Sequence, residues 1–196
     1  MTRAHATTLL RVLQPTYPIR TPRLNLRPFT STDIAAFTAI YTHPDVIRYL
    51  TWEPHGRMEI RELLARKAKH TAITEPGQSL SLAVILVDSG EVIGDISLGW
   101  VRGEHENGEV IIVLHPRFHG NGYGAEVCLE ILRLGFDVLK LYQIFGACDT
   151  RNIASASLME GLGMHRDPTL REREELKPKW SEELIYSMLA TEWRRR

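Results

Sequence analysis

The sequence predicts one mixed α/β domain. Three observations carry that prediction. Short aliphatic runs bounded by turn residues alternate with stretches of helical periodicity along the chain. Two of those runs flank Asp88-Ser-Gly90, a turn signal, so part of the sheet is an antiparallel hairpin. The chain has 196 residues, 43% of them hydrophobic, which suffices for one core and argues against disorder. No internal repeat or low-complexity tract interrupts the pattern.

The elements follow in order. Leu24 to Pro28 alternates apolar and polar residues and reads as a first strand closed by its proline. Thr30 is a candidate N-cap with Asp33 in the first turn, and Ile34, Phe37, Ile40 and Tyr41 continue at helical spacing. His43-Pro44-Asp45 breaks that helix and starts a shorter one around Val46 to Leu50. Ile60, Leu63, Leu64 and Ala68 mark a further helix, ended by Glu75-Pro-Gly77. Leu80 to Val87 and Glu91 to Val101 form the hairpin. Val110 to Leu114 is a compact apolar strand closed by His115-Pro116. Cys128, Ile131, Leu132, Gly135, Phe136 and Leu139 form a helical stripe. Tyr142 to Cys148 is another strand, and Asn152 to Leu162 a helix with Gly163 at its C-terminal cap. A charged loop over 171–179 precedes a last strand, Trp180 to Leu189.

Lys plus Arg and Asp plus Glu number 24 each, so no overall field attracts nucleic acid or a membrane. Arg194-Arg195-Arg196 reads as a solvated end. Cys128 and Cys148 lie in apolar contexts without metal-ligand spacing, and read as small buried hydrophobes in a reducing compartment. No apolar run approaches the ~18 residues that span a bilayer. Residues 1–18 lack a long apolar region with a cleavage signal and read as a loosely held extension bounded by Pro15 and Pro18. The expectation is a cytoplasmic protein with its domain over 19–196.

Between the strand ending at Leu114 and the stripe starting at Cys128 stands Arg117-Phe-His-Gly-Asn-Gly-Tyr-Gly-Ala-Glu126. A flexible turn explains three alternate glycines. So does a phosphate cradle, because a glycine turn opening a helix exposes backbone N–H groups at the positive end of the helix dipole. The Gly-Lys-Ser/Thr ending of a Walker loop is missing, and the spacing is not the Gly-x-Gly-x-x-Gly of a dinucleotide fold.

His119-Gly-Asn-Gly-Tyr-Gly124 resembles the acetyl-CoA motif of the GNAT N-acetyltransferases, Gln/Arg-x-x-Gly-x-Gly/Ala. Thr21-Pro-Arg-Leu-Asn-Leu-Arg27 resembles the opening of the RimJ/RimL-type branch, which acetylates ribosomal-protein N-termini. Glu91 to Ser97, Gly108 to Pro116, and Asn152-Ile-Ala-Ser155 with Gly163-Met164 resemble later segments of that branch. The resemblance runs from about Thr21 to Trp193. It implies the GNAT fold, a splayed, mostly antiparallel sheet flanked by helices, with acetyl-CoA as co-substrate and no metal. The pyrophosphate would rest on His119, Gly120, Asn121, Gly122, Tyr123 and Gly124. The pantetheine arm would pair with Ile112, Val113 and Leu114 and with Asn152, and Ser155 would flank the sulfur. His119 replaces the usual Gln or Arg, and Asn121 stands where a basic residue is common. Met159 takes the place of a tyrosine acid, and Met164 that of a phenylalanine.

The implied reaction is direct acyl transfer to an amine acceptor, a protein N-terminus or a small molecule. It needs a base, oxyanion donors and an acid for the thiolate. Glu109 is the candidate base, and a strand-end carboxylate otherwise. Backbone N–H groups near Val113 are the candidate donors. Ser155 is the candidate acid, and a helix serine bonded to a carbonyl otherwise. Trp52, His55 and Trp100 are candidates for the acceptor pocket or for packing. A module of the same fold that binds acyl-CoA as a sensor remains the alternative to an enzyme. A monomer or homodimer is expected from the family.

Overall fold

The structure is a computed structural model and describes residues 11–50, 56–103, 106–168 and 183–196. Among the described residues eight strands form one sheet: β1 (Ile19–Arg20), β2 (Leu24–Pro28), β3 (Ser79–Leu86), β4 (Val92–Val101), β5 (Asn107–Leu114), β6 (Gln143–Asp149), β7 (His165–Arg166) and β8 (Glu183–Leu189). Their order is β1-β2-β3-β4-β5-β6-β8-β7. Every neighbouring pair is antiparallel except β5 and β6, which run parallel. The mixed sheet with flanking helices is the GNAT fold expected from the sequence. The last strand begins at Glu183; the expected stretch 180–182 and the charged loop before it lie outside the described residues.

The period-two pattern of the strands divides the sheet into two apolar faces. One face carries Leu24, Leu26, Leu82, Ile96, Leu98 and Ile144, packed against α4 (Tyr123–Arg133) and α5 (Ile153–Gly161). The other carries Ala83, Ile85 and Val113, packed against α1 (Ile34–Tyr41) and α3 (Arg57–Lys67). Two short helices, α2 (Pro44–Ile47) and α6 (Ala190–Trp193), complete the set.

Local chemistry sets the element ends. The Thr30 N–H donates to Asp33 Oδ2 at 2.7 Å, which opens a 3₁₀ turn leading into α1. Arg27 grips the same Asp33 carboxylate through both terminal nitrogens, at 2.7 and 2.8 Å. Gly163, with φ 71°, ends α5 as a left-handed cap. The helical stripe to Leu139 is real, but past Arg133 the chain widens into a π turn over Leu134–Val138.

A buried polar cluster fastens the α1/α3 layer to β4. Asp95, 2% exposed, receives hydrogen bonds from Tyr41 Oη at 2.6 Å and Lys67 Nζ at 2.8 Å. Burial and the neighbouring Asp95 push the Tyr41 hydroxyl pKa well up, so it stays a donor.

The expected loose extension is corrected in its second half. Leu13 exchanges two backbone hydrogen bonds with Ile73, both 2.8 Å, and is 1% exposed within the α4-side core. Tyr17 Oη donates to Thr71 O at 2.6 Å. The sequence did not reveal this, because Leu13 belongs to a short apolar patch ahead of Pro15 and its partner Ile73 lies far along the chain. Residues 1–10 lie outside the described residues. Leu13→Ala is therefore expected to cost about 2–4 kcal/mol, as a core leucine does. Urea unfolding measures it, and a loss below about 0.5 kcal/mol would mean that Leu13 is not a core residue.

Candidate functional site

The glycine stretch is a strand-to-helix hinge in which each residue has its own task. β5 ends at Leu114, and a 3₁₀ turn over Pro116–Phe118 follows. Gly120 and Gly122 sit at φ 75° and 78°, the left-handed region where a side chain is strained. Gly122 is the residue from which α4 starts. Gly124 serves packing instead: a Cβ there would meet Leu158 of α5 at 3.2 Å. The Asn121 amide donates to the carbonyls of Phe118 and His119, at 3.3 and 3.0 Å, and so holds the turn. His119 Nε2 lies 3.0 Å from the Leu114 carbonyl, to which it donates, and ties the turn back to the strand. What the turn offers outward is the first N–H groups of α4, unpaired within the helix and at its positive end.

A distant segment closes on this turn. Glu126, in the first turn of α4, accepts from Thr21 Oγ1 at 2.6 Å, from the Arg23 N–H at 2.8 Å and from Arg23 Nε at 2.6 Å. Arg23 Nη1 donates to the Asn121 carbonyl at 2.9 Å, and its guanidinium lies 4.6 Å over the Tyr123 ring. Burial opposes ionisation of Glu126, but the bonds from Thr21 and Arg23 outweigh it and hold the carboxyl below its ordinary value.

Beside the turn, the sheet opens. β5 and β6 pair only over Asn107–Gln143, Gly108–Ile144 and Glu109–Phe145. Beyond that the two strands part, and α4 and α5 flank the gap. The Glu106 carbonyl accepts from the Tyr142 N–H, whereas the His115 N–H donates to the Ile93 carbonyl of β4. Strand periodicity then turns the carbonyl of Val110 and the peptide groups of Ile112 and Leu114 into the gap, and those of Ile111 and Val113 toward β4. Val113 itself, near which the oxyanion donors are expected, therefore faces β4 and not the gap. Val113 pairs with Asp95 in the β4 ladder, and its side chain packs on the α1/α3 face. The Ile112 N–H is the group that faces the opening.

A cavity of about 70 Å³ fills the gap, lined by Val110, Ile112, Cys128, Gly146, Ser155 and Met159 among others. By the measure in which one water needs about 10–15 Å³, it takes several heavy atoms. Asn152 caps α5, its side-chain oxygen accepting the Ser155 N–H at 3.1 Å. Met159 is buried where a tyrosine acid was the family alternative, so that part of the lining is apolar. Burial pushes the Cys128 thiol up to about 12 and Cys148 to about 11, so neither is a thiolate near neutral pH.

The cavity thus brings Ile112 together with Ser155, while Asn152 caps the same helix α5 and the glycine turn follows β5 beyond Leu114. The structure sets Glu109 apart. Glu109 is half-buried at the last β5–β6 pair, on the α1/α3 side of the sheet, opposite Gly99 and Phe145. Trp100, 6% exposed, belongs to the core, and Trp52 and His55 lie outside the described residues. Sequence reasoning read Thr21 and Arg23 only as a signature and passed over Glu126. Their one signal, an acid in the first turn of the glycine helix, names no partner about a hundred residues away.

Residues 23–165 match the model of the acetyltransferase (GNAT) domain. The uncharacterized N-acetyltransferase YnaD of Bacillus subtilis strain 168 is 29% identical over 175 residues, covering 89% of this chain and 98% of that protein. A GNAT-family acetyltransferase from Bacillus anthracis superposes with a TM-score of 0.73 at 25% identity, covering 89% of this chain and 99% of that one. Mycobacterium smegmatis RimJ in complex with CoA-disulfide superposes with a TM-score of 0.68 at 19% identity, covering 86% and 83%.

The depressed pKa of Glu126 has a pH consequence with a definite sign. Its contribution to stability is complete above the ordinary glutamate value, about 4.3. It is lost as pH falls through the lower folded value. Glu126→Gln should therefore show a smaller fall in Tm between pH 5 and pH 3 than the parent protein. Calorimetry at the two pH values checks this, and equal falls would place the acid sensitivity elsewhere.

Proposed function

The chain belongs to the acetyltransferase (GNAT) family and is an N-acetyltransferase, and we propose that it transfers acetyl from acetyl-CoA directly to a primary amine. The observation that carries this reading is the parting of β5 and β6 beside a glycine turn that opens a helix. That arrangement offers an anion cradle, a strand edge and a small apolar cavity in one line, which matches a pyrophosphate, an amide-bearing arm and a thioester.

In this reading the N–H groups over His119 to Gly124 receive the pyrophosphate. The peptide groups of Ile112 and Leu114 pair with the amides of the arm, and Asn152 adds a side-chain contact. The amine enters from the α1/α3 side, where Glu109 takes its proton directly or through water. Its nitrogen bonds to the thioester carbonyl carbon, and the Ile112 N–H stabilises the oxyanion. The C–S bond then breaks, and the Ser155 hydroxyl, on the α5 side, returns a proton to the sulfur. Acid and base stand on opposite faces of the sheet, and the gap is the passage through which they address one carbon. That favours attack in a ternary complex without a covalent enzyme intermediate, as do two thiols kept protonated by burial.

We further propose an acceptor of the RimJ/RimL kind, a protein N-terminus, or else a small-molecule amine. The support is the Thr21 to Arg27 signature and the Asn152-Ile-Ala-Ser155 element.

Acetyl-CoA at about a hundred times its Kd should stabilise the protein by about 2.7 kcal/mol. For a chain of this size that raises Tm by about 5–10 °C. No shift at millimolar ligand would remove the cofactor assignment. Gly122→Val should weaken acetyl-CoA binding tenfold or more, because the left-handed backbone and the approach to it are both lost. Ser155→Ala should lower kcat about a hundredfold and leave the acetyl-CoA Kd within about twofold. An unchanged kcat removes Ser155 as the acid. Thiol release across a panel of amines distinguishes the enzyme from a sensor, which would bind tightly and turn over none of them.

A further inference from the structure

We propose that Arg23 is a phosphate-binding residue of the acetyl-CoA site, supplying from the segment that leads into β2 the cation that Asn121 does not provide. The proposal rests on the cradle assigned above. The guanidinium is pinned beside the glycine turn by three independent contacts. Nε donates to Glu126 at 2.6 Å, Nη1 donates to the Asn121 carbonyl at 2.9 Å, and the plane lies over Tyr123. Nη2 takes part in neither hydrogen bond, and it stands 3.4 Å from where a Gly122 Cβ would be. It therefore lies against the residue from which α4 starts. The side chain is 49% exposed, so an anion in the cradle has access to it.

The chemistry fits that place. A guanidinium presents fixed N–H donors whose geometry matches phosphate oxygens, and a charge-assisted bond exceeds a neutral one. Asn121, where a cation would be common, is turned inward by its bonds to Phe118 and His119. Glu126 orders Arg23 before any ligand arrives, which lowers the entropy cost of using so long a side chain. Thr21 and the Arg23 N–H occupy the other carboxylate oxygen, so the clasp fixes the guanidinium in one register. The strand-opening segment thus becomes part of the cofactor site.

Titration calorimetry of the full chain with two probes tests this. One is acetyl-CoA. The other is acetylpantetheine, which has the thioester and the arm but no phosphate. Arg23→Gln should weaken acetyl-CoA tenfold or more and acetylpantetheine less than twofold. Arg23→Lys, which keeps the charge but not the fork, should fall between. Unchanged acetyl-CoA affinity in Arg23→Gln overturns the proposal, as does an equal loss for both probes, which marks a purely structural clasp. If Arg23→Gln does not fold, Arg23→Lys decides by the same comparison: a selective loss of acetyl-CoA supports the proposal, and no loss or an equal loss overturns it. Wild-type protein that binds acetyl-CoA no more tightly than acetylpantetheine removes the cradle itself, and the proposal with it.

Discussion

Two parallel strands that pair over only three residue positions set the terms for everything else in this molecule. A sheet normally satisfies both edges of each internal strand. Here β6 leaves β5 after Glu109 and Phe145, so the Val110 carbonyl, the Ile112 peptide groups and the Leu114 N–H face a gap instead of a neighbouring strand. The opposite edge of β5 stays fully engaged with β4 over eight residue pairs, so the strand is held rigidly on one side while its other side faces the gap. A half-paired strand of this kind is costly unless something with strand-like hydrogen bonding completes it, and the amides of a pantetheine arm have that character.

The gap is kept open by what lies around it. Gly146, on β6, has Met159 of α5 3.1 Å from the place of a Cβ, so α5 seats directly on the departing strand. Gly124 lets Leu158 of the same helix approach α4. The two helices therefore close the back of the opening, while Lys67, Tyr41 and Asp95 fix the α1/α3 layer on the other face. Arg23 and Glu126 are half-exposed or near the surface, where an ion pair alone contributes at most about 1 kcal/mol. Their importance is in the register they impose on the glycine turn more than in the stability they add.

Much of this was legible in the sequence. The hairpin, the apolar strand before the turn, the amphipathic helix after it and the Gly163 cap were readable because each is written in local periodicity or local capping chemistry. The parting of β5 and β6 was expected only from a family resemblance, since no residue pattern in Val110–Leu114 distinguishes an open edge from a paired one. That the N–H of Ile112 rather than that of Val113 faces the gap was not legible, because strand parity relative to a neighbour depends on pairing that the sequence does not contain. Leu13 and Arg23 were missed for a related reason: their partners, Ile73, Asn121 and Glu126, are far along the chain. Glu109 and Ser155 were named as single residues, but that they lie on opposite faces of the sheet emerged only from the structure.

The central claim is that the cofactor completes the open edge of β5. Amide hydrogen exchange of the individual β5 residues, with and without saturating CoA, tests it most directly. The account predicts added protection at Ile112 and Leu114 together with the 119–124 turn, and little change at Ile111 and Val113, which β4 already holds. Protection confined to the turn, or a gain at Val113 without one at Ile112, would contradict it.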